Sequence, residues 1–332
     1  MQMLRSSAVR PRSTAAGSNR WIWQERRRSW ARPASVTPEA YTGLMLVWIN
    51  GTISQPEDAR ISVFDRGFMY GDSVYEAVRF FDGVGVGMDQ HVQRLRRSLA
   101  YTKITGFKPD DYRIICRSLM ESLQTEDAMV YLQVTRGVQI PRRHCPDSNL
   151  TPSVIAVGSP AASLESMTQP MQISVTVEPD LRRMHCDVKA TNLLENVLAT
   201  MAAEQMQAQE PILQLDGVLT EGSSSNIFVV QGTTVRTPQL NHPRPILPGI
   251  NRQLALDAAQ ALGLRIEETS ISAKELRDAD EAFITSSSRV LASIQAVDGR
   301  SIRSGSIGAV TLQIHDELVR RIRAGSSITP QT

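Results

Sequence analysis

The chain has 332 residues, 41% of them hydrophobic, and a formal charge of +2 at pH 7. That length can bury a substantial core and exceeds what one core usually fills, so two domains are expected. The charge is uneven: residues 1–44 hold eight arginines and no lysine against Glu25 and Glu39, +6 locally, which leaves −4 for the other 288 residues and no electrostatic ground for a nucleic-acid partner.

Residues 1–44 show neither helical nor strand periodicity and are set apart from the fold as a non-core extension. They are either an organelle transit peptide, being Arg- and Ser-rich, or sequence added by a start codon assigned too early. Met45, immediately before the strand-like run Leu46–Ile49, favours the second reading. From there to 158 the pattern is short strands followed by helices. Strands are predicted at Val47–Thr52, Ile61–Phe64 and Val74–Phe81, with a hairpin turn through Phe81–Gly85. Helical spacing covers Asp89–Lys103 and Pro109–Leu123, and strands return at Met129–Thr135 and Ser153–Val157.

The aperiodic, Pro- and Ser-rich stretch 159–170 reads as an interdomain linker. A second domain, 171–326, is predicted to begin with strand Met171–Val177 and to continue with helix Leu193–Gln207 and strands Ile212–Leu215 and Asn226–Val230. Helix Ile250–Leu262, strand Ala282–Thr285 and a last helix near Ala309–Arg323 complete it. Hairpins mixed with helices argue for an α+β fold rather than regular βαβ alternation. No stretch approaches the roughly 18 apolar residues of a membrane span. Cys116, Cys145 and Cys186 form no CxxC pair, and the five histidines no i, i+3 or i+4 pair, so neither a disulfide framework nor a metal site is expected, and a reducing cytoplasm fits best.

The chemistry concentrates at one lysine. The chain has only four, Lys103, Lys108, Lys189 and Lys274, and Lys189 lies on a strand-to-helix passage thirty-two positions before Glu221 in the block Thr220-Glu221-Gly222-Ser223-Ser224-Ser225-Asn226. A lysine amine that forms a Schiff base and a carboxylate that can sit on a pyridine nitrogen are two requirements of pyridoxal 5'-phosphate chemistry. A third is a phosphate cradle, for which Leu247-Pro248-Gly249-Ile250-Asn251-Arg252 opens a helix, Thr285-Ser286-Ser287-Ser288 is hydroxyl-rich, and Arg94 offers charge. A fourth is a clamp for a substrate carboxylate, offered by Arg142-Arg143-His144 and the hydroxyl of Tyr75. Taken singly, each is more simply a surface lysine, a bend, an ordinary helix start or a basic loop.

Together the residues are recognisable. Asp65-Arg66-Gly67 through Gly71-Asp72-Ser73-Val74-Tyr75-Glu76, then His91–Leu95, Val134-Thr135-Arg136-Gly137, Cys186–Lys189, Thr220–Asn226 and Leu247–Arg252 resemble, in order and spacing, the class IV (fold-type IV) aminotransferases, most closely their D-amino-acid branch. The likeness spans nearly all of the chain after residue 44. It implies a homodimer with the coenzyme in a cleft between two domains. Lys189 would then be the Schiff-base lysine, Glu221 the partner of the pyridine nitrogen, and Arg94, Ile250, Asn251 and Ser287 the phosphate site. Leu247 would pack on the coenzyme ring. Tyr75, with Arg142 and His144 from the neighbouring subunit, would form the carboxylate trap, and Arg182 a further active-site arginine. The implied reaction converts D-alanine and 2-oxoglutarate to pyruvate and D-glutamate by a ping-pong route. The branched-chain aminotransferases and aminodeoxychorismate lyase of the same family are the alternatives. The chain departs from the pattern at Asn251, where threonine is commoner, and at Ser73, where glycine is usual; Arg79 also occurs in branched-chain enzymes.

Overall fold

The computed structural model describes residues 45–302 and 305–325, which belong to one compact unit. The expectations for residues 1–44, and the last residue of the second predicted domain, lie outside the described residues. Six strands, β1 (Leu46–Ile49), β2 (Thr52–Ser54), β3 (Ser73–Phe81), β4 (Val84–Gly85), β5 (Ala128–Thr135) and β6 (Val154–Pro160), form an antiparallel sheet in the order β2-β1-β6-β5-β3-β4. Helices α1 (Arg66–Tyr70), α2 (Met88–Thr102) and α3 (Asp111–Leu123) accompany it. Period-two alternation explains what each face does. Val74, Val78 and Phe80 of β3 and Val130, Leu132 and Val134 of β5 are buried with Leu95, Leu99, Tyr112, Ile115 and Leu119 of the two longer helices. Their neighbours Tyr75, Ala77, Met129 and Tyr131 point to the other face, into a cavity.

The second sheet holds β7 (Met171–Pro179), β8 (Glu210–Leu215), β9 (Val218–Gly222), β10 (Asn226–Gln231), β11 (Thr234–Thr237), β12 (Arg265–Glu268), β13 (Glu281–Ser286) and β14 (Val290–Val297), in the order β12-β11-β10-β13-β14-β7-β8-β9, with β15 (Arg300–Ser301) on β14. It is mixed. Two of its parallel pairs, β7/β8 and β11/β12, are joined through helices α4 (Leu194–Gln205) and α5 (Ile250–Ala261), as parallel crossovers require. A short α6 (Ala273–Arg277) and the terminal α7 (Ala309–Arg323) follow. Strands β10 and β13 are apolar on both faces: Ile227, Val229, Ala282 and Ile284 fill one core, while Phe228 and Phe283 stack at 4.6 Å between centroids in another. That second core also takes in Phe81, Val86 and Leu164, so the stretch 159–170 is anchored by a buried leucine in a 3-10 turn at Leu164–Ser166.

One predicted strand is absent. Ile61–Phe64 is an exposed turn, in which Asp65 N–H donates to Ser62 O and the Asp65 carboxylate accepts from Gly67 N–H to start α1. Its β-branched residues have no neighbouring strand to pair with, so local propensity does not decide. The Asp82-Gly83 turn has both residues at positive φ, 48° and 75°, the geometry that tight hairpins need. Glu221 and Gly222 are not a bend but the end of β9; the bend falls on the three serines that follow.

Candidate active site

The short segment around Lys189 is docked against the start of β3: Tyr75 N–H donates to Lys189 O, Val74 bridges Ala190, and Thr191 N–H donates to Ser73 O. Backbone pairing therefore fixes the lysine opposite Tyr75, and its Nζ stands 4.2 Å from the centroid of that ring. Lys189 and Tyr75 line a cavity of about 340 Å³ between the two sheets. The same cavity is lined by Arg94, Arg182, Glu221, Leu247, Ile250, Asn251 and Ser287, so nine of the eleven site residues expected from sequence converge on it.

Glu221 is buried at the end of β9 and accepts from Arg182 Nη1 at 2.7 Å, from Leu247 N–H at 3.1 Å and from Asn226 Nδ2 at 3.4 Å. Burial pushes its carboxyl above the ordinary range, and the Arg182 guanidinium pulls partly back. Arg182 is itself gripped by both oxygens of buried Asp180. Burial disfavours its charge, but Asp180 and Glu221 outweigh that and hold it firmly protonated. Burial likewise works against Asp180, yet Arg182 and the Thr220 hydroxyl keep it ionised and low. Arg244, also buried, adds donors to Asp180 and to the carbonyls of Arg182 and Arg183.

The start of α5 forms another part of the cavity wall. Gly249 precedes the helix, whose leading N–H groups have no intrahelical acceptor. A Cβ at Gly249 would lie 2.0 Å from Asn226 Oδ1, so only glycine lets this turn close on Asn226, which also holds Leu247 O at 3.0 Å. The Asn251 carboxamide donates to Ser286 O at 2.6 Å and so joins the helix start to the hydroxyl-rich turn after β13. Thr285 Oγ1, buried on the cavity wall, has no partner among the described protein atoms.

Arg94 reaches the cavity from α2. Its Nε and Nη2 donate to the two oxygens of Glu76, each at 2.8 Å, and its Nη1 to Pro248 O at 3.0 Å. His91, one turn earlier, places Nδ1 2.6 Å from the same carboxylate. Burial pushes His91 down against the pull of Glu76; burial also opposes the Glu76 charge, but Arg94 and His91 hold that carboxyl far below its usual value. Glu76 is the residue sequence reasoning passed over. The signal was legible, because its place in the alternation of Val74, Val78 and Phe80 puts a carboxylate on the buried face.

The structure does not bring Arg142 and His144 to this cavity. The Arg142 guanidinium lies 4.7 Å over the Tyr70 ring, with the His144 ring 5.5 Å from Tyr70. Arg66 fixes their loop by donating to Gln139 Oε1, Arg143 O and His144 O at 2.7–2.8 Å. Arg79 is turned away from the cavity, toward Ala162 O and the Phe81 ring.

Residues 73–297 match the class IV amino-transferase family, the greater part of the chain. The chain belongs to the class IV aminotransferases. Among curated relatives, the D-alanine aminotransferase of Bacillus licheniformis is 35% identical over 288 residues, 86% of this chain and 100% of that one. That of Staphylococcus aureus (strain MSSA476) is 30% identical over 285 residues, covering 84% and 99%. Among solved structures, the branched-chain amino acid aminotransferase of Escherichia coli aligns with a TM-score of 0.74 at 25% identity, over 84% of this chain and 93% of that one. The branched-chain aminotransferase of Thermoproteus uzoniensis, solved with norvaline, aligns at 0.74 and 26%, over 85% and 95%. This class IV aminotransferase therefore has the α+β fold expected of it, and its work is the transfer of amino groups between amino acids and oxo acids.

Proposed function

We propose that the protein is a pyridoxal 5'-phosphate-dependent D-amino-acid transaminase that converts D-alanine and 2-oxoglutarate to pyruvate and D-glutamate. The observation that carries the reading is the convergence of Lys189, Glu221 and the start of α5 on one cavity. The residues present suit this coenzyme. The first-turn N–H groups at Ile250 and Asn251, the partnerless Thr285 hydroxyl and Ser287 suit a phosphate, Leu247 an aromatic ring, Glu221 a ring nitrogen, and Lys189 an aldehyde. Bound there, pyridoxal phosphate supplies the electrophilic carbon and the electron-accepting ring of the reaction.

Lys189 Nζ is the base that takes the proton from the substrate Cα, and the Tyr75 face beside it fixes where the amine points. Glu221 keeps a negative charge at the ring-nitrogen end; Arg182 opposes the burial that would protonate it. Arg94, braced by Glu76 and bonded to Pro248 O, holds the loop before α5 and contributes charge toward the phosphate end. The Tyr75 hydroxyl takes one side of the substrate carboxylate.

Arg142 and His144 complete that clamp from a second copy of the chain, as part of a homodimer. Exposed Phe68 and Ile140 near their loop, and Leu194, Val197, Leu198 and Met201 along α4, supply apolar surface for the association. Free Cys116, Cys145 and Cys186 suit a cytoplasmic enzyme, and no helix among the described residues is long and apolar enough to cross a membrane. The structural neighbours favour a second reading, a branched-chain L-amino-acid aminotransferase. Amino-donor assays with D-alanine, D-glutamate, L-leucine and L-valine separate the two: D-alanine is the preferred donor, and preference for L-leucine overturns the stereochemical assignment.

A further inference from the structure

Ser73, buried at the head of β3, stands where the family resemblance leads one to expect glycine, and its hydroxyl is engaged on two sides. Gln133 Nε2 donates to Ser73 Oγ at 3.1 Å, and Ser73 Oγ lies 2.5 Å from Thr191 Oγ1. The series continues both ways: Tyr131 OH donates to Gln133 Oε1 at 2.9 Å, and Thr191 Oγ1 donates to Gly71 O at 3.2 Å. Only one order of donors satisfies every link. A carboxamide oxygen accepts, so the Tyr131 proton is committed to Gln133. A carboxamide nitrogen donates, so Ser73 accepts from it and passes its own proton to Thr191, whose proton goes to the Gly71 carbonyl.

The chain joins two parts of the cavity wall. Tyr131 lines the cavity, with its ring centroid 5.5 Å from that of Tyr75. Thr191 lies two residues beyond Lys189 on the docked segment. We propose that Ser73 is a positioning residue: through Gln133 it holds Tyr131 as a hydrogen-bond acceptor toward an N–H or O–H of the bound amino acid, and through Thr191 it ties that wall to the lysine segment. Without the serine hydroxyl, Gln133 loses its acceptor and the Tyr131 hydroxyl is free to turn. The inference rests on the reading of this cavity as an amino-acid site.

The test is a double-mutant cycle on the full-length holoenzyme, comparing the unaltered protein, Ser73→Ala, Tyr131→Phe and the double variant in D-alanine kinetics and in urea unfolding. Tyr131→Phe is expected to raise KM for D-alanine roughly tenfold with little change in kcat, as loss of one hydrogen bond implies. Ser73→Ala raises KM severalfold when Tyr131 is present and not at all in the Tyr131→Phe background. Its effect on the urea midpoint is the same in both backgrounds, because the buried contact to Thr191 is lost either way. A KM effect of Ser73→Ala that is equal in both backgrounds, or absent from both, overturns the proposal. Turnover with an unchanged KM in Tyr131→Phe overturns it while leaving the transaminase reading intact; no turnover of any amino acid by the unaltered protein overturns both.

Discussion

Glu76→Gln removes one charge from a carboxylate that is fully buried and takes three charged or polar donors, Arg94 Nε and Nη2 at 2.8 Å and His91 Nδ1 at 2.6 Å. Glutamine keeps the shape but offers one accepting oxygen and sets an NH₂ group against a donor on the other side. Removing one partner of a buried pair costs about 3–5 kcal/mol. The lower end applies here, because Arg94 keeps Pro248 O and one oxygen of the new side chain. About 3 kcal/mol is roughly a 150-fold shift in the folded ratio, and at a urea slope of about 3 kcal/mol/M it lowers the midpoint by about 1 M. The pH dependence has a definite sign. The folded carboxyl titrates far below the ordinary glutamate value of 4.5, so its stabilisation is complete above 4.5 and fades as pH falls toward the folded value. At pH 4 the gap between the native protein and Glu76→Gln should narrow by about 0.8 kcal/mol. Urea midpoints at pH 7.5 and pH 4 check both figures; a variant within about 1 kcal/mol of the native protein at pH 7.5 refutes the reasoning.

Arg142→Ala and His144→Ala are expected to lower kcat/KM for amino acids about 10- to 100-fold, mostly through KM, since in the proposed clamp each gives a charge-assisted bond to the carboxylate; steady-state kinetics at constant coenzyme occupancy measures this. Arg182→Ala removes the cation that opposes burial at Glu221. The Glu221 pKa then climbs further, and because the role proposed for Glu221 requires its ionised form, the acid limb of the kcat/KM profile moves to higher pH. An unmoved limb would assign that ionisation to another group. Gly249→Ala drives a Cβ into Asn226 Oδ1 and must displace the side chain that holds Leu247 O. It should cost about 1–3 kcal/mol in stability and weaken retention of the coenzyme on gel filtration.

Strong local patterns were legible in the amino-acid sequence. The last helix, expected near Ala309–Arg323, spans those residues, and the strands expected at Val74–Phe81 and Ala282–Thr285 are found at Ser73–Phe81 and Glu281–Ser286. What escaped was set by partners far along the chain. Arg265–Glu268 is a strand only because it lies parallel to β11 at the sheet edge, and Val290–Val297 because β13 and β7 flank it. The candidate site divides the same way. Lys189 and Glu221 stand out by residue type and spacing, whereas the docking of the Lys189 segment on β3, the pairing of Glu76 with Arg94 and the Arg244–Asp180–Arg182 series come from contacts between residues up to 118 positions apart. The reach that we propose for the Arg142–His144 loop depends on a second subunit, which no local pattern in the sequence encodes.

The most direct measurement is product formation by the purified, coenzyme-loaded protein given 2-oxoglutarate with either D-alanine or L-leucine, with Lys189→Ala as control. D-Glutamate and pyruvate are expected from D-alanine, with little turnover of L-leucine and none by the Lys189→Ala protein. L-Glutamate formed preferentially from L-leucine, or undiminished turnover without Lys189, would contradict the proposed function.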